Sequence, residues 1–226
     1  METKVILPRE GTGEQLLFEG GVPSQIIRSY DWIIPQDTVK TPLFRLKHFV
    51  KSLMNIRAAN KIAKIAVREK YDIIHINTLY SYVGALAAKK AGIPYVWHMR
   101  EILESGQNRT FIDQRKSYSL IGQSDCIMAI SMSVFRNYCF KINCQNMRIV
   151  YNGIDEARFY RPNKKIFQDD FVRILFVGGF NKNKGAFTIC DALSRIVSRF
   201  NNVEIWFVGE PTEKFKQYVK SLGLTP

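Results

Sequence analysis

Long apolar runs are missing from this sequence. None approaches the roughly 20 residues needed to cross a bilayer, so no transmembrane helix is expected. Cysteine is scarce, and Cys126, Cys139, Cys144 and Cys190 form neither a CxxC pair nor a zinc-ligand spacing. That excludes a disulfide framework or zinc knuckle and fits a reducing, intracellular compartment. Cys126 and Cys190 sit in apolar patterns and are expected as small core residues. No signal peptide is expected, because the N-terminus runs straight into a strand pattern. Internal repeats and low-complexity segments are lacking as well. Acidic residues are few: 20 Asp and Glu against 33 Lys and Arg leave a net charge of +13. Such an excess suits an anionic partner such as nucleotide phosphates, a membrane surface or nucleic acid; the plain alternative is a solvated basic surface. No nucleic-acid-binding motif accompanies the charge, so a nucleic-acid role is not expected.

What is present is an alternation. Across 226 residues, 46% of them apolar, short Val/Ile-rich runs alternate with helical patterns. This predicts α/β layers in one large or two small domains. The organising stretch is VRILFVGGFNKNKG, Val172 to Gly185. The run from Ile174 to Val177 reads as a buried parallel strand. Gly178 and Gly179 follow, then a polar loop with Lys182 and Lys184, then Gly185 and a helical pattern. A strand, a Gly- and Lys-containing turn and a helix start make an anion site: backbone approaches closely, N–H groups point outward and lysines add charge. Taken alone, the stretch also fits a structural turn with solvated lysines.

Earlier in the chain, residues 3–7 predict a strand, GEQLLFEGG a short helix, and 23–34 an extended stretch. Residues 44–70 predict a long amphipathic helix. Leu46, Phe49, Val50, Leu53, Ile56, Ala63 and Ala66 repeat at three and four, as a core-facing stripe does. Lys47, Lys51, Arg57, Lys61, Lys64 and Arg68 fall mostly on the other side. That basic face is expected to be an ordinary solvated face, with anionic lipid headgroups as the alternative contact. DIIHIN (72–77) is a strand, and its His75 is expected as a satisfied core residue. A helix over 80–90 ends at Gly92. Residues 93–97 lead as a strand into His98-Met99-Arg100-Glu101. Ligands of open α/β sheets bind beyond the carboxyl ends of strands. His98 is placed there to donate to a phosphate or sugar hydroxyl, and Arg100 to hold an anion with its guanidinium fork. A local Arg100–Glu101 pair is the plain alternative. A helix over 111–122, a strand over 126–130, a helix capped by Ser131 and a strand over 147–151 follow. The polar, Pro-containing stretch 160–170 interrupts the alternation and is expected to hold a linker. Strand 172–178, helix 185–200, strand 203–208 and a last helix complete the pattern.

In their order, VILPREG, YDIIHIN, AGIPYVWHMRE, SDCIMAIS, the stretch from RIVYNGID to its RF and RP pairs, ILFVGGFNKNKG and VEIWFVGE resemble the family 4 glycosyltransferases. The match covers nearly the whole chain. It implies the GT-B fold, an α/β architecture of two Rossmann-like domains facing a cleft. Residues 1–160 would be the acceptor-side domain, 161–170 the linker, and 171–226 the start of a nucleotide-sugar-binding domain. The implied activity is transfer of a sugar, with retention, from a nucleotide-sugar donor to a cell-surface glycan or lipid-linked acceptor in polysaccharide biosynthesis. The implied chemistry uses neither cofactor nor metal, since the nucleotide sugar is a substrate. The expected location is cytoplasmic, and the basic helix leaves peripheral attachment to the inner face of the membrane as an open alternative. By the same resemblance His98 is the strand-end catalytic histidine. Lys184 is the lysine of the donor-diphosphate loop, Gly178 its close-approach glycine, and Asn152-Gly153 the segment joining the domains.

Departures accompany the match. Gly179 stands where the family commonly has arginine, and Lys182 is the nearest substitute charge. The family's first strand with its Gly-rich turn, and its paired-glutamate motif, have no counterpart here. In the strand order 3-2-1-4-5 that first strand is central, so strands 3–7 and 72–77 are each expected to keep an unpaired edge. The second domain is expected to be truncated. The alternative function is therefore a catalytically inactive partial glycosyltransferase that binds a partner, such as a complementing chain.

Overall fold

The computed structural model describes residues 2–142, 145–159 and 170–224. Cys144 and residues 161–169 of the expected linker lie outside the described residues. The chain forms two compact units, Met1–Gly153 and Ile154–Pro226.

In the first unit, β1 (Val5–Leu7), α1 (Thr12–Glu19), β2 (Ser24–Ile26) and β3 (Ile33–Pro35) precede α2 (Pro42–Arg68). Thr41 starts α2: its hydroxyl accepts the N–H of Phe44 at 3.1 Å, and Pro42 occupies the first turn, where a missing N–H costs nothing. Then come β4 (Ile74–Ile76), α3 (Val83–Ala91), β5 (Tyr95–Met99), α4 (Glu104–Gln107), β6 (Arg109–Phe111), α5 (Gln114–Gly122), β7 (Cys126–Ala129), α6 (Met132–Tyr138), β8 (Met147–Ile149) and, at the start of the next unit, α7 (Glu156–Phe159). Gly92 ends α3 at a φ of 69°, and the Ser131 hydroxyl caps α6. Phe111, expected in a helix, instead lies in β6, paired antiparallel with β3 opposite Ile33. The helix starts later because Asp113 caps α5, accepting from Lys116 N–H.

A parallel four-stranded sheet, in the order β4-β5-β7-β8, carries the core. Period-two alternation sends Tyr95, Trp97, Met99, Ile127 and Ala129 to one buried face. Trp97 is fully buried, donates Nε1 to the Thr78 carbonyl at 2.9 Å and stacks on Trp32. The opposite face carries His75, Val96, His98, Cys126 and Met128, which are half-buried or exposed. His75 therefore lies on the outer face, exposed as a residue overall but with its ring partly screened by stacking on His98, and is not a core histidine.

β1 pairs with β2 in a separate parallel sheet. Among the described residues, β1 has no other strand partner, and β4 pairs with β5 alone. Yet Ile6 of β1 and Ile74 of β4 pack on one cluster, formed by Ala58, Ala59, Ala63 and Ile65 of α2 with Val83 and Ala87 of α3. α2 matches the expected pattern in its second half, where Ala63 and Ala66 are buried and Arg57, Lys61, Lys64 and Arg68 exposed, but no residue of α2 before Asn55 is buried. Its core-facing residues are Asn55, Ala58, Ala59, Ala63, Ile65 and Ala66, whereas Leu46, Phe49, Val50, Leu53 and Ile56 are exposed. Packing against α3 covers α2 only from Asn55 onward, which leaves the large residues of its first half exposed.

In the second unit, β9 (Val172–Val177) and β10 (Val203–Val208) pair in parallel. A short 3-10 turn, Lys182–Lys184, joins β9 to α8 (Ala186–Ile196), and α9 (Glu213–Ser221) follows β10. Cys190 and Ala186 are buried with Phe215, and Phe176, Phe180, Phe187 and Phe207 pack around them. The other sheet face exposes Leu175, Val177, Trp206 and Val208.

Candidate functional site

The first group of candidate residues sits at the carboxyl ends of β4 and β5. His98 points to the less covered sheet face and stacks on His75, with ring centroids 5.4 Å apart. Its Nε2 is buried and, among the described residues, has no hydrogen-bond partner. A buried polar atom left unpaired costs free energy unless a ligand or water meets it. His98 is held below its ordinary pKa by burial first, then by His75 and Arg100. His75 is lowered likewise by burial and by Arg100. Both rings are therefore neutral near pH 7.

Arg100 is exposed and reaches Asn77, donating Nη1 to Oδ1 at 3.4 Å. No ion pair joins it to Glu101. Glu101 turns the other way: its carboxylate accepts from the Thr78 hydroxyl at 3.1 Å and the Leu79 N–H at 3.2 Å. Thr78 in turn accepts from Tyr80 N–H. Trp32 Nε1 donates to the Leu79 carbonyl at 2.6 Å, and Leu79 is fully buried. The loop from β4 to α3 is thus fastened by Glu101, Trp97 and Trp32. Motif reasoning missed His75 and the Thr78–Glu101 contact. The signal for His75 was parity: in DIIHIN it occupies the outward register, as His98 does in YVWHM.

The second group lies in the second unit. After β9 the chain turns at Gly178 and Gly179. A Cβ on Gly178 would stand 3.2 Å from the Phe176 ring, a tight contact that the ring would have to relieve by a few tenths of an ångström. Asn181 closes the turn, its Oδ1 accepting from Lys184 N–H at 3.1 Å. Gly185 then adopts a φ of 84°, which favours glycine, and serves as the N-cap of α8. Glycine offers no side-chain acceptor, so among the described residues no side-chain cap meets the first turn of α8. Lys182 and Lys184 are exposed on the preceding turn. Uncapped N–H groups, the helix dipole and two lysines make this loop electropositive. Asn152 and Gly153 are exposed at the end of the first unit. Among the described residues no group of His, Cys, Asp and Glu side chains converges as a metal site would.

The family model of Glycosyltransferase Family 4 matches residues 18–158, more than half of the sequence. The chain belongs to this family. An uncharacterized glycosyltransferase of Methanocaldococcus jannaschii is 28% identical over 154 residues, which cover 59% of this chain and 39% of that one. Among solved structures, HepE of Anabaena in complex with UDP-glucose superposes with a TM-score of 0.68 at 20% identity, covering 98% of this chain and 58% of HepE. A glycosyltransferase of Rickettsia africae gives 0.66 at 18% identity, covering 97% and 55%. These likenesses show the fold, GT-B-like α/β with parallel sheets. This family member spans about two-fifths of its M. jannaschii relative and somewhat over half of the structural ones.

Proposed function

We propose that the chain serves a glycosyltransferase reaction in which a sugar passes, with retained configuration, from a nucleoside diphosphate to a hydroxyl of a glycan or lipid-linked acceptor. One observation carries the reading: the Gly178–Gly185 loop opens into a helix whose N-terminus no side chain caps, beside exposed Lys182 and Lys184. A departing diphosphate gains negative charge as the bond from its oxygen to the sugar C1 breaks. Lys184 and the loop N–H groups are suited to stabilise that charge. The acceptor oxygen bonds to C1, and its proton passes to the diphosphate oxygen. The neutral His98 ring, with Nε2 unspent, is suited to a hydrogen bond with a sugar hydroxyl or phosphate, and Arg100 to an anionic group. Glu101 supports the acceptor side by fixing the Thr78–Leu79 backbone. HepE, solved with UDP-glucose, makes a UDP-sugar the first donor to try.

The test is a thermal melt of the chain with UDP and GDP, for wild type and Lys184→Ala. One nucleotide is expected to raise the transition, by free energy of about 2.7 kcal/mol at a hundredfold excess over Kd. Lys184→Ala is expected to weaken binding roughly tenfold, about 1.4 kcal/mol. A melt insensitive to every nucleoside diphosphate, or unchanged affinity in the variant, would sink the reading.

A second reading is favoured by the unpaired edges of β1 and β4 above one shared helix cluster. In it the chain is a partner-binding module, inactive until a further strand completes the sheet. Nucleotide binding without sugar transfer, and transfer restored by a complementing segment, is the result expected of it.

A further inference from the structure

The stack of His75 on His98 follows from the register of the sheet. β4 pairs with β5 so that His75 stands opposite Val96, and β5 with β7 so that His98 stands opposite Met128. Side chains alternate between faces along a strand, so His75, Val96, His98 and Met128 share the outer one. His98 lies two residues beyond Val96, which makes it the diagonal neighbour of His75. Diagonal positions are about 7–8 Å apart, within reach of aromatic rings. Here the rings close the gap, with centroids 5.4 Å apart and planes inclined by 19°, a stack at the separation aromatic pairs favour. On the other flank stands Met128, directly across from His98, where Cβ atoms are about 4.5–5.5 Å apart. The diagonal repeats one rung further along. Asn77 and Arg100, like His75 and His98, are 23 residues apart, and Arg100 donates to Asn77 at 3.4 Å. The His98 ring thus has a neighbour on each side within the outer face and a polar rung beyond it.

An imidazole is usually oriented by the hydrogen bond that one of its nitrogens makes. Among the described residues His98 Nε2 makes none, although it is buried. The orientation of the ring is then left to packing. A group that meets a substrate has to be held to about 0.5 Å and 10–20°, and a ring free to move between staggered wells is not so held. The His75 ring supplies a flat wall against His98 and does so without consuming Nε2. Both rings are held below their ordinary pKa, by burial first, so the stack carries no like-charge repulsion near pH 7. We propose that His75 is a positioning residue: its ring, stacked on His98, fixes the direction of the His98 imidazole and leaves Nε2 free to meet the donor. The proposal rests on the reading of His98 as a residue that contacts the nucleotide sugar. What the role requires at position 75 is a flat ring rather than a second nitrogen. Phenylalanine therefore serves there and alanine does not. Residue 75 is exposed overall, so neither substitution opens a cavity in the core.

The test compares wild type, His75→Phe and His75→Ala in the full chain, isotope-labelled at histidine. With three histidines in the sequence, His48, His75 and His98, the ring signals are few enough to assign. Side-chain couplings of His98 are expected to report one χ1 rotamer in wild type and His75→Phe, and averaged rotamers in His75→Ala. Calorimetric titration with UDP-glucose and with UDP follows. His75→Ala is expected to weaken UDP-glucose on the order of tenfold, and His75→Phe to restore it. Loss for UDP-glucose alone assigns Nε2 to the sugar, and loss for both ligands assigns it to the diphosphate; either supports the proposal. A single His98 rotamer in His75→Ala would overturn it, since the ring would then be held by something else. So would a phenylalanine variant that binds as poorly as alanine, for the His75 imidazole would itself be needed by the ligand. If wild type binds neither compound, the reading of the sugar site falls, while the rotamers of His98 still decide whether His75 holds the ring.

Discussion

Replacing Glu101 by alanine removes the acceptor of two hydrogen bonds at once, from the Thr78 hydroxyl at 3.1 Å and the Leu79 N–H at 3.2 Å. Hydrogen bonds to a charged group contribute about 1.5–3 kcal/mol each, and the low end applies to a half-buried carboxylate. Leu79 is fully buried, so its N–H has no easy route to water. The expected cost of Glu101→Ala is therefore about 3 kcal/mol. Glu101→Gln keeps the shape. Its carbonyl can accept from Leu79 and its amide can donate to the Thr78 hydroxyl, so the loss is that of charge assistance, about 1 kcal/mol. For a unit of this size each kcal/mol lowers Tm by about 2–4 °C, giving roughly 6–12 °C for alanine and 2–4 °C for glutamine. Thermal and urea unfolding, followed by near-ultraviolet circular dichroism, would report it through Trp32 and Trp97, which also hold this loop. Two results would refute the reasoning. If both variants match wild type, the carboxylate is not fastening the loop and is free to meet a substrate directly. If glutamine is as damaging as alanine, charge rather than geometry is what the site requires.

Two further predictions rest on single side chains. All three histidines, His48, His75 and His98, are held below their ordinary pKa, chiefly by burial. The unfolded chain then takes up protons at about pH 6.5 while the folded chain resists them. Stability is expected to be greatest above that pH and to fall as pH drops through about 6.5, less steeply in His75→Gln with His98→Gln; a flat or rising Tm on acidification would contradict this. Asn55 is almost fully buried in α2 and clamps Tyr30, accepting its N–H at 2.8 Å and donating to its carbonyl at 2.9 Å. Asn55→Ala is expected to cost about 2–4 kcal/mol in urea unfolding, and Asn55→Asp, which cannot donate, to remain destabilised as well.

The sequence by itself determined where several elements start and stop, because caps are local chemistry, although the strand at Arg109–Phe111 and the later start of α5 were not foreseen. Ser131 with its neighbours, and Gly92 with its positive φ, act within a few residues. It also determined the strand–turn–helix over 172–196 and the placing of His98, Arg100 and Glu101 at one strand end. Both follow from period and punctuation, and the ordered motifs carried the family. Tertiary structure decided the rest. The three-and-four spacing of α2 does not tell how far along the helix its neighbours reach; the cluster shared with α3 buries it only from Asn55 on and leaves the earlier large residues exposed. The parity of His75 was legible, but which face of the sheet stays uncovered depends on the helices packed against it. Glu101 reaches back 22 residues to Leu79, a contact that no local spacing announces. The length of sequence between such partners is set by the topology of the sheet, and a carboxylate at a strand end is equally suited to hold a loop or a substrate until its neighbours are in place.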